Sequence, residues 1–293
     1  MKLRAMLALL LIFTMSLGLG ALAADFDQTQ TIAVVSREEG SGTRGAFIEL
    51  TGIAIKGADG KEIDNMYAEA DFVNGQSLVM TTVAANEYAI GYSSLAAVQG
   101  NDTLKALKVN GVEASTENIL NGTYAVARPF NALTIDTMAD PIALDFLAFI
   151  MSKEGQAVVT GNKLVTVATD ATPGYMAANL SGSVSVGGST SVAPIMEKLK
   201  EAYEAINPNV KIDVQSTGST AGVTNALNGT YQIGMASRNL KDSEVADGAK
   251  STVIAMDGIC VIVHPANPLE DITLEQVRQV FVGEITTWDT LNK

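Results

Sequence analysis

Three turns rich in glycine and hydroxyl side chains hold the residues of this sequence that could do chemistry. The first, "REEGSGTRGAF" at 37–47, contains Arg37, Ser41, Gly42 and Thr43. The second, "SVGGSTSVAP" at 185–194, contains Ser189, Thr190 and Ser191. The third, "VQSTGSTAGV" at 214–223, contains Ser219 and Thr220. Each turn follows a strand-like apolar run and precedes a segment with helical periodicity.

The chemistry that these residues favour is the binding of an anion. A helix N-terminus has unpaired backbone N–H groups and a partial positive charge, and glycine lets the backbone approach a ligand closely. Serine and threonine are also the preferred N-cap residues, so a single turn of this kind indicates only a helix start. Three such turns, one of them with an arginine, together predict a site for a tetrahedral oxyanion that needs no metal.

A fourth candidate turn is "IGMASRNL" at 233–240, where Ser237 and Arg238 follow an apolar run. Arg238 fits either a second cation at the anion site or an arginine on the solvated surface. The sequence leaves these two interpretations open.

The elements that must position these turns alternate between strand and helix, which is typical of an α/β fold. Apolar runs predict strands at 31–35, 89–92, 184–187, 211–215, 233–236 and 259–264. Helical periodicity predicts helices at 43–51, 77–85, 142–160, 191–206, 220–227 and 274–280. The segment 170–182, "DATPGYMAANLSG", has the composition of a linker.

The N-terminal 23 residues have a basic start, an apolar stretch and a small-residue cleavage site, which predicts a secretory signal peptide cut near Ala23. The leader contains no cysteine, so no lipid anchor is expected, and the protein is expected in the periplasm or outside the cell. The 293 residues have a formal net charge of −13, which argues against nucleic acid as a partner. The roughly 270 residues after the leader suffice for two lobes.

Six segments together resemble the phosphate-binding proteins of bacterial ABC importers. The resemblance covers nearly the whole mature chain, and its motifs are "VSREEGSGTRGAF", "GGSTSVAPIMEKLKEAY", "VQSTGSTAG", "IGMASRNLKDSE", "DGICVIVHPANP" and "ITLEQVRQVFVGEITTWDTL". It implies the two-lobed α/β fold of periplasmic binding proteins, of type II, with phosphate held between the lobes. It also implies a membrane permease as partner, no cofactor and no metal, and we expect a monomer.

The resemblance assigns roles residue by residue. Arg37 is the expected bidentate partner of the anion, and Glu39 occupies the position of an acidic residue that orients the arginine in relatives. The remaining expected ligands are hydroxyl and backbone N–H groups of Ser41, Gly42, Thr43, Ser189, Thr190, Ser191, Ser219, Thr220 and Ser237.

One position departs from the family pattern. Some relatives have an aspartate after the "AS" strand end, which accepts a hydrogen bond from the proton of phosphate and so excludes sulfate. Arg238 stands there in this sequence, and an arginine cannot accept. Selectivity for phosphate then requires another acceptor, for which Glu39 and Asp257 are the candidates.

The motifs also stand in an unusual order, because "GGSTS" opens the mature chain in the usual family order and "SREEGSGTR" follows "ITTWDTL". This order predicts a circular permutation, with the former ends joined through 170–182. One lobe would then be discontinuous, 24–100 plus 269–293, and the other continuous, 101–268. A fragment or a gene-assembly artefact is the alternative.

The alternatives to transport are an enzyme and a binding protein without a transporter. A hydrolase or transferase needs a nucleophile paired with a base, and the sequence has no G-x-S-x-G elbow, Walker loop or Cys/His cluster, so no enzyme is expected. A secreted phosphate scavenger, or a binder of another tetrahedral oxyanion such as sulfate, stays possible. Neither would require a transporter.

Overall fold

The structure is a computed structural model that describes residues 26–57 and 62–291, so the predicted signal peptide lies outside the described residues. The strands are β1 Ala33–Arg37, β2 Ala54–Lys56, β3 Glu62–Asp64, β4 Asp71–Val73, β5 Ala89–Ser94, β6 Lys105–Ala106, β7 Lys108–Val109, β8 Ala127–Ile135, β9 Gly182–Gly188, β10 Val210–Ser216, β11 Ile233–Ala236, β12 Ala249–Val263 and β13 Asp271–Ile272. The helices are α1 Gly42–Leu50, α2 Gln76–Ala84, α3 Leu95–Val98, α4 Thr116–Leu120, α5 Pro141–Ile150, α6 Lys153–Gly161, α7 Ala193–Ile206, α8 Ser219–Leu227, α9 Asp242–Ala246, α10 Leu274–Phe281 and α11 Trp288–Leu291.

One long strand, β12, connects the two halves of the main sheet. The sheet runs in the order β10-β9-β11-β8-β12-β5-β1-β4, with β6 beside β12. The first part of β12 pairs antiparallel with β8 from Ala249 to Gly258, and the rest pairs antiparallel with β5 from Ile259 to Val263. On both sides of this centre the outer strands run parallel to their neighbours, as is typical of strands connected through helices.

Two separate hydrophobic cores define two lobes along this sheet. The core of lobe 1 contains Val34, Val35, Phe47, Tyr92 and Cys260 together with apolar residues of α10 and α11. Within it the Phe47 and Tyr92 rings stack with their centroids 4.0 Å apart. The core of lobe 2 is built from β8 to β12 and helices α5 to α7, and includes Phe146, Phe149 and Tyr203. The described segments nearest the two ends of the chain lie together in lobe 1, since Thr31 bridges Thr287.

The two cores divide the chain near residues 127 and 258. The boundaries predicted after Gly100 and Pro268 are displaced from this division, because Leu104, Leu107, Val126 and residues 259–263 are buried in the core of lobe 1. Gly100 has a positive φ of 85° and forms a turn within lobe 1. Glycine and proline indicate turns, and a turn within a lobe has the same local composition as a crossover between lobes.

The helix predicted at 142–160 is two helices, α5 and α6. Ser152 ends the first and begins the second: its Oγ donates to Phe149 O at 2.7 Å and accepts from Gly155 N at 3.2 Å. Strand β8 and the first half of β12 were not predicted. They pass from one lobe to the other, and their polar residues such as Arg128 and Asp257 interrupt the apolar pattern.

The predicted linker at 170–182 lies against lobe 2 and enters β9. Its backbone is held by Lys153 N, which donates to Pro173 O, and by Glu154 Oε2, which accepts from Tyr175 N at 2.7 Å. The Tyr175 hydroxyl donates to Asp145 Oδ2 at 2.6 Å. Within the described ranges, no helix is both long and apolar enough to cross a lipid bilayer.

Candidate functional site between the lobes

The loop from β1 to α1 supplies the wall of the site that belongs to lobe 1. Strand β1 ends at Arg37, Gly40 turns the chain with a φ of 84°, and Ser41 begins α1 as its N-cap. The Ser41 Oγ accepts from Arg44 N at 3.3 Å, which is the ordinary capping bond. Ser41 therefore has the local role that its residue type favours, and it is 5% exposed at the edge of the site.

Arg37 is a buried cation, and one of its guanidinium nitrogens has no hydrogen-bond partner among the described residues. Its side chain is 1% exposed, and its Nε and Nη2 donate to the two carboxylate oxygens of Glu38, each at 2.7 Å. Nη2 also donates to Thr190 Oγ1 of lobe 2 at 3.0 Å. Its Nη1 is buried and has no hydrogen-bond partner among the described residues. A buried guanidinium N–H without an acceptor is costly, so this atom favours an anionic ligand.

Glu38, and not Glu39, is the carboxylate that orients Arg37. Glu38 also accepts from Gly75 N at 3.1 Å, whereas Glu39 is exposed. Burial raises the pKa of Glu38, but the hydrogen bonds and charge of Arg37 outweigh it, so the pKa lies below its usual value. The role expected for Glu39 therefore falls to Glu38. The conformation of the turn decides which of the two adjacent glutamates faces the Arg37 side chain, and the spacing of residues in the sequence does not reveal it.

Lobe 2 supplies the opposite wall from the ends of β9 and β11 and the start of α8. Ser189, Ser219 and Ser237 are 2%, 0% and 0% exposed. Gly218 is the N-cap of α8 with a φ of 94° and makes no side-chain cap bond. The first turn of α8 is thus free of a capping side chain and begins at the buried Ser219.

The hydrogen-bond directions give two of these serines a free donor. Ser189 Oγ accepts from the backbone N–H groups of Ser191 and Val192 and donates to Ser237 Oγ at 2.9 Å. Ser219 Oγ accepts from Ser237 N at 3.1 Å. Both the Ser219 and the Ser237 hydroxyls act as acceptors in these contacts. Each therefore keeps its own hydrogen for a further acceptor.

The two walls meet directly. Thr43 Oγ1 and Ser191 Oγ are 2.8 Å apart, and Thr220 N donates to Gly40 O at 3.1 Å. A Cβ added at Gly42 would overlap Ser219 Oγ and would lie 2.8 Å from Ser237 Oγ. At Gly42 the backbone of lobe 1 therefore lies against Ser219 and Ser237 of lobe 2, and only a residue without a side chain fits there.

The structure brings most of the predicted residues together. Those buried at the junction of the lobes are Arg37, Ser41, Gly42, Thr43, Ser189, Ser191, Ser219 and Ser237. Thr190 is half-buried beside Arg37. Thr220 has an exposed side chain and reaches the other lobe through its backbone N–H.

Arg238 and Asp257 have other partners. The guanidinium of Arg238 donates to both carboxylate oxygens of Glu244, at 2.8 and 2.7 Å. Asp257 is buried and pairs with Arg128 Nη2 at 3.2 Å, the two residues being register partners on β12 and β8. Burial raises the pKa of Asp257 and lowers the pKa of Arg128, because it disfavours both charges.

Two residues near the site were not predicted. Arg128 Nη1 donates to Ser237 O at 3.2 Å, and the Gln76 Oε1 accepts from Ser191 Oγ at 2.7 Å. Arg128 could have been suspected as a charge inside an otherwise apolar strand. Gln76 follows Gly75 at the start of α2, a glycine-and-polar turn like the other three but without their hydroxyl pair.

A cleft of about 1280 Å³ opens beside the cluster. Both lobes line it, lobe 1 with Glu38, Gly40 and Gln76, and lobe 2 with Thr190 and Thr220. The cleft reaches the sequence neighbours of the buried donors, among them Glu38, Gly218 and Thr220. Two α/β lobes with buried polar groups at their junction are the arrangement of the solute-binding proteins, and this chain has it.

The comparisons with known proteins give the family. The PBP superfamily domain matches residues 22–154 and 173–292. Phosphate-binding protein PstS 2 of Streptococcus agalactiae is 42% identical over 298 residues and 100% of both chains. The crystal structure of a phosphate-binding protein of a phosphate ABC transporter from Streptococcus pneumoniae TIGR4 is 44% identical and superimposes with a TM-score of 0.72, covering 89% of this chain and 100% of that one.

The chain therefore belongs to the PBP superfamily and, within it, to the family of the phosphate-binding proteins PstS. The predicted two-lobed α/β fold is confirmed. A more distant relative, PstS of Borreliella burgdorferi, is 38% identical over 105 residues, which cover 36% of this chain and 38% of that protein.

Proposed function

We propose that this protein captures inorganic phosphate outside the cytoplasm and delivers it to the permease of an ABC importer. The observation that carries the proposal is the buried Arg37, whose Nη1 has no partner among the described residues and whose Nη2 donates to Thr190 of the other lobe. A tetrahedral oxyanion would accept from Arg37, Ser219 and Ser237 at once. The names of the relatives support phosphate as this anion.

The binding set that we propose spans both lobes. It comprises Arg37, Ser41, Gly42, Thr43, Ser189, Thr190, Ser191, Ser219, Thr220 and Ser237. Since one chain provides both walls, we propose that the protein acts as a monomer. The relatives are named as binding proteins, and we propose binding without catalysis.

Calorimetric titration of the purified protein with phosphate tests the proposal. We expect saturable binding of one phosphate per chain, far below millimolar ligand. Absence of heat and of thermal stabilisation at millimolar phosphate would refute the proposed function, because a ligand that binds the native state must stabilise it.

The alternatives are a binder of another oxyanion and a phosphate scavenger without a permease. A parallel titration with sulfate tests the first alternative, because a sulfate-binding protein would bind sulfate more tightly than phosphate. Uptake of labelled phosphate by cells that carry the permease, with and without this protein, separates the second. We favour transport because the TIGR4 relative is named as part of a phosphate ABC transporter.

We further propose that the chain order is a circular permutation of the usual family order. A permuted chain can be aligned with an unpermuted relative over only one of its two blocks, and the match to the Borreliella protein covers 36% of this chain. The streptococcal PstS 2 shares the order of this chain over its whole length. The described ends are also close together, with the Phe26 and Trp288 rings 5.7 Å apart.

A reordered chain tests this proposal. The variant begins at residue 183, runs to the C-terminus, continues through a short glycine-serine linker into residue 26, and ends at residue 169. Because tolerated permutations join ends that lie close together, we expect it to fold and to bind phosphate within about threefold of the parent. A variant opened instead inside β12 is the control and should not fold. If the reordered chain also fails to fold, the permutation proposal is wrong.

A further inference from the structure

The site needs a hydrogen-bond acceptor if it is to distinguish phosphate from sulfate, and the three carboxylates considered among the described residues are either paired with an arginine or exposed. Phosphate carries at least one proton at neutral pH, whereas sulfate carries none. Glu38 accepts from Arg37 through both oxygens, Asp257 is paired with Arg128, and Glu39 is exposed. The buried cluster also contains a neutral acceptor.

A chain of two hydroxyls ending at Gln76 has the required direction. Ser191 Oγ donates to Gln76 Oε1 at 2.7 Å, and a carbonyl oxygen can only accept. A serine hydroxyl has one hydrogen, so in the 2.8 Å contact between the hydroxyls of Thr43 and Ser191 it is Thr43 that donates. The hydrogen of Thr43 is thereby used, and toward any further partner its oxygen is an acceptor.

This acceptor is next in sequence to the residue that packs against two of the donors. Thr43 is 1% exposed and follows Gly42, the residue in closest approach to Ser219 and Ser237. Those two serines keep their own hydrogens, as does Arg37 Nη1. One side of the site thus donates and the Thr43 side accepts, which is the polarity that a protonated oxyanion requires.

We propose that Gln76 is a specificity-determining positioning residue: by accepting from Ser191 it directs the Thr43 hydroxyl away from the ligand and selects a protonated tetrahedral anion over sulfate. The inference rests on the proposed function, since it presumes an anion in this cluster. Without the Gln76 oxygen, both hydroxyls can rotate and donate to the anion. The site would then stabilise sulfate and lose its hydrogen bond from phosphate.

The test compares three dianions of similar size by calorimetry at pH 8: phosphate, sulfate and monofluorophosphate, which is a phosphate dianion without the hydroxyl hydrogen. In the parent we expect phosphate to bind more tightly than the other two. In Gln76→Leu we expect the ratio of phosphate to sulfate affinity to fall by about tenfold or more, the scale of one hydrogen bond at a buried site. Monofluorophosphate should follow sulfate.

Three further variants sharpen the test. Ser191→Ala breaks the chain at its middle and should lower the same ratio, which keeps the proposal falsifiable if Gln76→Leu does not fold. Gln76→Glu retains an acceptor and should keep the phosphate preference while weakening all three dianions through its charge. Thr190→Val removes a partner of Arg37 that is not part of the hydrogen-bond chain from Thr43 to Gln76. It should therefore weaken the binding of phosphate and of sulfate by the same factor.

The outcomes separate this inference from the proposed function. If the parent binds phosphate but the ratio is unchanged in Gln76→Leu and Ser191→Ala, the role of Gln76 is overturned and the proposed function stands. If the parent binds none of the three dianions, both are overturned.

Discussion

Replacement of Arg37 by alanine is expected to weaken phosphate binding by at least about 2 kcal/mol, or about 30-fold. The change removes the guanidinium whose buried, unpartnered Nη1 is the proposed donor to the anion, and it leaves Glu38 without the cation that holds its pKa low. An anion would then approach an uncompensated carboxylate. Calorimetry with phosphate measures the loss directly.

Two other arginine variants locate the effect. Arg37→Lys keeps the charge but cannot form the fork to Glu38, so an intermediate loss is expected. Arg44→Ala is the matched control from the same loop: Arg44 pairs with Asp64 at 2.6 Å and lies over the Phe72 ring, 5.5 Å from its centroid. Its removal should change the affinity by less than about threefold, since its charge is already paired with Asp64 and it has no hydrogen bond to the other lobe among the described residues. An Arg37→Ala protein with parental affinity would exclude Arg37 from the site.

Replacement of Gly42 by alanine is expected to prevent closure of the lobes around phosphate. The new Cβ would overlap Ser219 Oγ and lie 2.7 Å from Ser219 Cβ, across the junction of the lobes. Overpacking of this kind costs about 1–3 kcal/mol or more, which corresponds to a loss of about fivefold to over a hundredfold in affinity. Small-angle scattering should show no decrease in the radius of gyration when phosphate is added.

Stability separates this steric effect from unfolding. Gly42 is the first residue of α1 and has no positive φ, so alanine suits its backbone, and the melting temperature without phosphate shows whether the overlap with Ser219 also lowers the stability of the folded chain. Gly45→Ala on the same helix is the control. Its Cβ would lie 3.3 Å from Arg238 Cδ, a contact that a shift of a few tenths of an ångström relieves, whereas the Gly42 Cβ would overlap Ser219. Parental affinity in Gly42→Ala would show that the lobes need not approach this closely to hold the ligand.

Arg238, the second arginine considered for the site, shows what residue type alone can and cannot indicate. "MASR" predicts Ser237 as a site residue, and the structure buries it between Ser189 and Ser219. The neighbouring Arg238 points to Glu244 on α9, a partner six residues later that no strand-end pattern predicts. Successive residues leaving a strand point in different directions, and the contacts of each depend on what packs there.

Local sequence determined the parts of this protein that depend on a few adjacent residues. Strands that end in glycine and hydroxyl residues before a helix are dictated by backbone conformation and capping, so most of the proposed anion ligands, Arg37 among them, could be found without a structure. The motif set also indicated the family. These features survive a change of chain order because each one is local.

Only the tertiary structure decided how these pieces act together. It assigned the partner of Arg37 to Glu38, placed the division of the lobes near residues 127 and 258, and brought Gln76 to Ser191, 115 residues apart along the chain. The direction of a hydroxyl depends on acceptors contributed by distant segments, and the spacing of residues in the sequence does not contain that information. Whether the site donates or accepts at a given oxygen is therefore a property of the packed lobes.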